Sequence, residues 1–245
     1  MHPAFHVRSG APSSLPGMAA APPALARHDL VWLDPAASPG LRTACGEDRD
    51  LVAAWARAGR PFVVRRAETA PGLCTAGGLS LGLPLPSRLD RRRIALGATR
   101  EDVRRTGRMP LLADACDAGF AGWRGPLRRL AGQLSESGAS VRAYGSLGWQ
   151  YLTGEAYLHP ASDIDLLIEP GEEADTQRLL AVLSEACAGD CPRLDGEIAL
   201  APDRMMAWRE LFTTTPEVLV RGLDGLALLP REVVRRCLRR GVGEC

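Results

Sequence analysis

Residues 162–168 read Ser-Asp-Ile-Asp-Leu-Leu-Ile, and this run determines which fold the sequence predicts. Its last five residues are apolar apart from Asp165, which predicts a buried β-strand over 163–169. Because alternate residues of a strand point to one face, Asp163 and Asp165 are expected to project together. Two adjacent carboxylates repel each other unless a divalent cation lies between them, and Mg²⁺ prefers such ligands together with substrate phosphates. The pair therefore predicts a Mg²⁺ site. The alternative is an ordinary strand end, at which one aspartate is an N-cap and the other faces solvent.

A Gly-Ser pair lies upstream, where a predicted strand over 141–144 ends and a predicted short helix over 147–153 follows. Gly145 lets the backbone approach a ligand closely. The free N–H groups of a helix start bind phosphate, and the hydroxyl of Ser146 adds a further donor. The pair is therefore a candidate for binding substrate phosphate, although an isolated Gly-Ser pair is most often a plain turn.

Two more carboxylates lie downstream, on a strand predicted over 194–200. Asp195 and Glu197 share one face of that strand, so either could complete a site built on the neighbouring strand. Asp195 is the first choice for this third carboxylate and Glu197 the second. The alternative is that both are exposed side chains near a turn.

Arg209 is a candidate phosphate clamp, because a guanidinium group binds phosphate through two parallel hydrogen bonds. A surface ion pair with Glu210 or another neighbour is the alternative. The scarce aromatic residues Trp149, Tyr151 and Trp208 lie near these motifs and could stack on an adenine, although packing in the core is their more ordinary role.

The composition excludes several kinds of chemistry. All 30 basic residues counted as Lys plus Arg are Arg, which rules out a Schiff-base lysine and the lysine of a P-loop. The formal net charge of +1 argues against a nucleic-acid binder. No apolar run approaches the roughly 18 residues of a membrane span, and the amino-terminal region lacks the apolar segment of a signal peptide. We therefore expect a cytoplasmic protein that does not enter a membrane.

Three regions are predicted along the chain. Residues 1–26 are rich in Pro, Ala, Ser and Gly without periodicity and are expected to be disordered, with Met1 and Met18 both possible starts. Residues 27–118 form a small amino-terminal domain and residues 119–245 a catalytic domain. The predicted elements are helices over 47–58, 123–137, 147–153, 172–187, 205–211 and 233–240, strands over 61–66, 91–96, 141–144, 163–169 and 194–200, a turn region over 112–119 and a loop over 71–86.

The alternation of helices and strands after residue 119 predicts an α/β (α+β) fold with a small mixed sheet flanked by helices. The spacing of the Gly-Ser turn, the paired aspartates and the later acidic strand resembles the nucleotidyltransferase superfamily typified by DNA polymerase β. In that superfamily the Gly-Ser turn holds a triphosphate, the paired aspartates bind metal and a third carboxylate assists. The resemblance implies that Asp163, Asp165 and Asp195 are catalytic.

Longer stretches are similar to one particular family, the malonate decarboxylase holo-[acyl-carrier-protein] synthases, which are phosphoribosyl-dephospho-CoA transferases. The resemblance covers roughly residues 27 to 220. It implies transfer of 2'-(5-phosphoribosyl)-3'-dephospho-CoA from its triphosphoribosyl donor to a serine of the acyl carrier protein subunit, with release of diphosphate. The stretches that carry it are Arg-His-Asp-Leu-Val-Trp-Leu at 27–33, Pro-Phe-Val-Val-Arg-Arg at 61–66, Leu-Gly-Leu-Pro-Leu-Pro at 81–86, Tyr-Gly-Ser-Leu-Gly-Trp-Gln-Tyr-Leu-Thr-Gly at 144–154 and Trp-Arg-Glu at 208–210.

Other functions remain open at this point. The chain could be another nucleotidyltransferase that acts on a small molecule or a protein, or a non-catalytic binding module that keeps the fold. A polymerase-like enzyme is disfavoured by the neutral charge. The last predicted helix has a basic face that could dock an acidic carrier protein, although such a face is usually only solvated. Its members are Arg231, Arg235, Arg236, Arg239 and Arg240.

Overall fold

The computed structural model describes residues 25–36, 41–43, 45–66, 78–223 and 225–240, and the side chains up to residue 238 in the last range. These residues form two six-stranded sheets, one in each half of the chain. Helices and both sheets together confirm the predicted α+β class. The predicted disordered tail lies outside the described residues as far as residue 24. Both possible start residues and residues 71–77 of the predicted loop also lie outside them.

The amino-terminal sheet is antiparallel throughout, with the strand order β2-β5-β4-β3-β1-β6. Helix α1 places Val52 and Trp55 in the same buried core as Leu81 and Leu96 of the sheet. The helix spans Asp48–Arg57, and the strands are β1 (Leu30–Leu33), β2 (Arg42–Thr43), β3 (Phe62–Val64), β4 (Leu79–Pro84), β5 (Arg93–Ala98) and β6 (Val103–Gly107).

The carboxyl-terminal sheet is mixed, as predicted, with the order β12-β11-β10-β9-β8-β7. Strands β8 and β9 are parallel and the other neighbours are antiparallel. The strands are β7 (Ala139–Tyr144), β8 (Ile164–Pro170), β9 (Leu194–Ala201), β10 (Arg204–Ala207), β11 (Glu217–Arg221) and β12 (Leu226–Pro230), and the helices are α2 (Leu112–Ala115), α3 (Ala121–Glu136), α4 (Gly145–Thr153), α5 (Thr176–Ala188) and α6 (Arg231–Arg240).

The two faces of this second sheet have different neighbours. On β8, Ile164, Leu166 and Ile168 belong to one buried core with the apolar faces of α3, α5 and α6. The intervening residue Leu167 belongs to a small separate cluster with Ala199 and Met205, on the opposite face. Strand alternation therefore assigns the odd-numbered residues of β8 and β9, which include the acidic candidates, to the face away from the helices.

The two halves share a packed interface. Trp149 of α4 and Tyr157 are buried in the core of the amino-terminal sheet, where the rings of Trp149 and Trp55 are 6.5 Å apart. The Tyr157 hydroxyl donates to the carbonyl of Pro84 at 3.1 Å. Trp149 therefore packs in the core, which was the more ordinary of its two predicted roles. Trp208 is also fully buried, whereas Tyr151 is exposed.

Several predicted elements were wrong or missing. The predicted helix over 205–211 is strand β10 followed by a 3₁₀ turn over Trp208–Phe212, because the apolar residues of this stretch pair with β9 and β11. The predicted loop contains β4, since a strand rich in Gly and Pro gives little local signal. Residues Leu112 and Ala115, which precede the predicted boundary at 119, lie in the buried core of the second sheet, and the boundary itself stays a prediction.

Candidate active site

The Gly-Ser turn and the first acidic strand meet at one point. Helix α4 begins at Gly145, directly after Tyr144, which is paired with Asp165 across β7 and β8. Gly145 has a φ of +55°, and a Cβ built on it would overlap the Asp165 carboxylate, whose Cγ would lie only 2.7 Å away. Only glycine fits here, so the start of α4 and the Asp165 carboxylate lie against each other. Ser146, the next residue, is half-buried in the first turn of the same helix.

Asp165 is the most perturbed carboxyl group of this region. Burial, reinforced by the neighbouring charges of Asp195 and Asp163, raises the pKa of Asp165 to about 6. The parallel pairing of β8 with β9 places Asp195 directly beside it. None of the described residues donates a hydrogen bond to the side-chain carboxylate of Asp165. A crowded, poorly solvated carboxylate of this kind gains from a nearby cation.

Asp163 lies at the start of β8 and is held by an arginine. Both of its carboxylate oxygens accept hydrogen bonds from Arg193, which holds the pKa of Asp163 below its usual range. Arg193 is largely exposed, so this ion pair can open at little cost. Asp163 can therefore reach a metal only when Arg193 releases it.

The donor set fits Mg²⁺ chemically, because it offers carboxylate oxygens and gathers negative charge that a cation offsets. Within the described ranges, no group of three or more acidic, histidine or cysteine side chains already converges on a metal position. If Mg²⁺ binds here, Asp163 and Asp165 would supply carboxylate ligands, and phosphate oxygens of a substrate and water would have to complete the coordination shell.

Asp195 is the accessible candidate for a third carboxylate. Its side chain is 51% exposed, and one oxygen accepts a hydrogen bond from the N–H of Gly196 at 2.8 Å. The Nε atom of Arg209 lies 3.7 Å from the same oxygen, and Arg209 also donates to the carbonyl of Leu194 and lies over the ring of Trp208. Arg209 therefore pairs with the acidic strand and not with Glu210.

Glu197 has a different environment from Asp195. Its side chain is 9% exposed and its carboxylate lies 2.8 Å from His28, 3.3 Å from Arg27 and 3.7 Å from Arg221. Burial acts to raise its pKa, but the hydrogen bond from His28 and the charges of both arginines outweigh burial and leave the pKa lowered. Glu197 thus joins the two halves of the molecule and is not free to receive a proton.

Three residues of this region were missed by the sequence analysis. Arg193 binds Asp163, and His28 binds Glu197. Arg93 of the amino-terminal sheet lies close enough to Asp165 for its charge to act against the rise in that pKa. No local pattern identifies them. In the structure, His28 has a backbone φ of +68°, which is rare for a residue with a side chain and which the sequence does not reveal.

These features define a two-domain α+β enzyme in which a glycine-started helix and the carboxylates of two parallel strands meet at one site. The chain belongs to the phosphoribosyl-dephospho-CoA transferase family. The family model described as "Phosphoribosyl-dephospho-CoA transferase MdcG N-terminal domain" matches residues 26–108, and that of the C-terminal domain matches residues 111–232. The protein is accordingly a transferase.

Curated relatives carry the same name, phosphoribosyl-dephospho-CoA transferase. One from Bradyrhizobium diazoefficiens is 35% identical over 84% of this chain and 90% of its own length. One from Xanthomonas campestris pv. campestris is 33% identical over 86% of this chain and 98% of its own length. One from Pseudomonas aeruginosa is 32% identical over 73% of this chain and 81% of its own length. No solved structure matches the chain. The helices within the described ranges are all too short or too polar to cross a membrane.

Proposed function

We propose that this enzyme transfers the 2'-(5-phosphoribosyl)-3'-dephospho-CoA group from its triphosphoribosyl donor to a serine of the acyl carrier protein subunit of malonate decarboxylase. The observation that carries the proposal is the contact of the Asp165 carboxylate with the start of α4 at Gly145, beside Asp195. The proposal is supported because free N–H groups at a helix start suit phosphate, and those of α4 lie next to carboxylates. Membership of the family and the resemblance of residues 27–220 supply the identity of the transferred group.

The reaction is a displacement at phosphorus. The carrier serine Oγ attacks the α-phosphorus of the triphosphate, a phosphodiester bond forms, and the bond from the α-phosphorus to the bridging oxygen of the β-phosphate breaks, so that diphosphate leaves. The serine proton passes to a carboxylate, and Asp195 is suited to this because it is exposed beside the buried Asp165. The N–H groups of the first turn of α4 and the hydroxyl of Ser146 hold the leaving diphosphate.

Positioning and charge stabilisation account for most of the catalysis in reactions of this kind. When bound by Asp163 and Asp165, Mg²⁺ supplies positive charge that offsets the charge of the triphosphate. Arg209 lies beside Asp195, and its guanidinium group provides a further donor for a phosphate oxygen. With no lysine in the chain, every cationic side chain that contacts phosphate at neutral pH is an arginine or a protonated histidine.

The carrier docks, in this proposal, against exposed positive charge on α6. Arg235 and Arg236 are exposed there. Arg231, which the sequence analysis assigned to the same basic face, is buried and donates to the carbonyls of Thr215 and Glu210. The prediction was wrong for Arg231, because its side chain holds the start of α6 against the segment that joins β10 to β11.

The direct test is incubation of the enzyme with purified carrier subunit, donor and Mg²⁺, followed by mass spectrometry of the carrier. We expect the mass of the prosthetic group to be added to the wild-type carrier, none to a carrier that lacks the acceptor serine, and none with Asp165→Ala. Full transfer by Asp165→Ala would contradict the catalytic assignment. Modification of the carrier with a nucleoside triphosphate in place of the donor would favour a different nucleotidyltransferase activity.

The non-catalytic alternative needs its own measurement. Calorimetric titration with MgCl₂ in the presence of donor should show binding by the wild-type enzyme and a loss of binding in the Asp163→Ala and Asp165→Ala variants. Absence of both metal binding and transfer in the wild-type protein would support a binding module that keeps the fold without the chemistry.

A further inference from the structure

A cavity lined by positively charged side chains lies beside the acidic candidate active site. A cavity of about 410 Å³ opens between the two halves of the molecule, which is large enough for part of a nucleotide-sized ligand. Val63, Leu219 and Leu226 give it apolar walls. The charged lining consists of Arg27, Arg65, Arg66 and Arg221, together with His28.

The charge of this lining is one-sided. No Asp or Glu is found among the described residues that line the cavity. Glu197 lies behind the lining, where it is buried and pairs with Arg27 and Arg221. The one carboxylate of Glu197 cannot offset the guanidinium groups of Arg27, Arg66 and Arg221, so the described lining has an excess of positive charge. Guanidinium groups on apolar walls suit a phosphate ester that is attached to an uncharged chain.

The cavity is joined to the active site through His28. The His28 ring lies 4.4 Å from the ring of Tyr144, the residue directly before Gly145, and its Nε2 atom is 2.8 Å from Glu197. His28 holds a backbone φ of +68°, a conformation that residues with a side chain rarely adopt. These contacts hold the ring between the cavity and the start of α4.

We infer that this cavity binds the diphosphate ester of the donor's dephospho-CoA portion, apart from the triphosphate that reacts. The inference rests on the proposed function, because that donor carries two polyphosphate groups and the site at Gly145 and Asp165 accounts for one. The arginines of the cavity hold the second group, and the apolar residues Val63, Leu219 and Leu226 contact the chain attached to it. The amino-terminal half thereby contributes to recognition of the donor.

The test uses 3'-dephospho-CoA, which has the diphosphate ester but no triphosphate, and measures its binding to the full chain by calorimetry without Mg²⁺. Arg66 is the best residue to change, because it lines the cavity and has no described ion pair that its removal would break. We expect Arg66→Gln to weaken binding about tenfold, as for loss of one charge-assisted hydrogen bond. Arg66→Lys keeps the charge without the planar guanidinium group, so its affinity for 3'-dephospho-CoA should lie between those of the wild type and Arg66→Gln.

The matched control is Arg104→Gln, an exposed arginine of β6 outside the cavity, which should bind like the wild type. Thermal unfolding by circular dichroism verifies that each variant is folded, and Arg221→Gln provides a second variant. The inference is overturned if the wild-type chain does not bind 3'-dephospho-CoA, if both cavity variants bind it like the wild type, or if Arg104→Gln weakens binding equally. It is also overturned if Arg66→Gln weakens binding of the carrier protein and leaves binding of 3'-dephospho-CoA unchanged.

The transfer assay separates this inference from the proposed function. With the complete donor, Arg66→Gln should raise the KM for the donor about tenfold while kcat stays near the wild-type value, because the cavity is away from the reacting phosphorus. If wild-type transfer fails but binding of 3'-dephospho-CoA still depends on Arg66, the proposed function falls and the cavity remains a binding site for diphosphate esters. If transfer proceeds and neither KM nor binding responds to Arg66, the inference falls and the proposed function stands.

Discussion

The contact between Gly145 and Asp165 makes a sharp prediction about Gly145→Ala. The new Cβ would lie 2.7 Å from the Asp165 Cγ, on a backbone with a φ of +55°. Left-handed backbone costs an alanine roughly 1–2 kcal/mol, and forcing an extra carbon into an occupied space costs about 1–3 kcal/mol more. We therefore expect the free energy of unfolding to fall by about 2–5 kcal/mol in total.

The effect on transfer should exceed the effect on folding. Asp165 must move aside for the new methyl group, and a displacement of about 1 Å at a reacting centre can cost roughly a hundredfold in rate. The measurement is kcat/KM for carrier modification by mass spectrometry, at a temperature where denaturant titration shows the variant to be folded. We expect a loss of about a hundredfold or more.

Gly154→Ala is the matched control. Gly154 ends the same helix with a φ of +69°, but a Cβ built there meets nothing within 4 Å. It should cost about 1 kcal/mol of stability from backbone strain and leave transfer unchanged. If Gly145→Ala equals Gly154→Ala in both stability and kcat/KM, the contact with Asp165 has no role and the reasoning fails. A double-mutant cycle with Asp165→Ala checks the cause, because removing that carboxylate should recover about 1–3 kcal/mol of the cost at Gly145.

Three more predictions follow from the acidic residues. The pKa of Asp165 is raised to about 6 from an ordinary value near 3.8, so the unfolded chain loses this proton at a lower pH than the folded chain does. The free energy of unfolding of the metal-free protein should therefore fall between these two pH values, by at most about 3 kcal/mol. Denaturant titrations from pH 4 to 7 should show this fall and Asp165→Asn should reduce it, whereas the same pH dependence in both proteins would contradict the raised pKa. Glu197→Ala should lower the free energy of unfolding by roughly 3 kcal/mol, because it leaves buried positive groups unpaired. The control is Glu185→Ala, which changes an exposed side chain. Equal stability of the two variants would contradict the role of Glu197 in joining the two halves of the molecule. Arg193→Ala should tighten Mg²⁺ binding in calorimetry by freeing Asp163, with little change in the free energy of unfolding because the ion pair is largely exposed. Unchanged or weaker Mg²⁺ binding would show that Arg193 does not compete for Asp163.

Local sequence predicted the elements that decide the site. The apolar run interrupted only by Asp165 predicted strand β8, and strand β9 was predicted over the later acidic segment. The Gly-Ser turn was predicted to end a strand and open a helix, and α4 begins at Gly145. These signals are local, since a buried strand or a helix start is specified by residues within a few positions of one another.

Elements that depend on distant partners were predicted less well. Strand β12 places Leu226 and Leu228 at a sheet edge with both side chains exposed, so no clean apolar pattern identifies it. Strand β10 has the sequence Arg-Met-Met-Ala, whose residues have no strong preference for strand over helix. Its conformation comes from the pairing partners on either side, which lie elsewhere in the chain.

The sequence by itself determined the fold class, the family resemblance and the two acidic strands, because periodicity and short motifs are properties of neighbouring residues. Only the tertiary structure distinguished Asp195 from Glu197. Both share one face of β9, yet Asp195 is half exposed and Glu197 is buried against His28, a residue 169 positions away. Burial and ion pairing depend on which parts of the chain come together, so the roles of these two carboxylates and the arginine-lined cavity became visible only in the folded molecule.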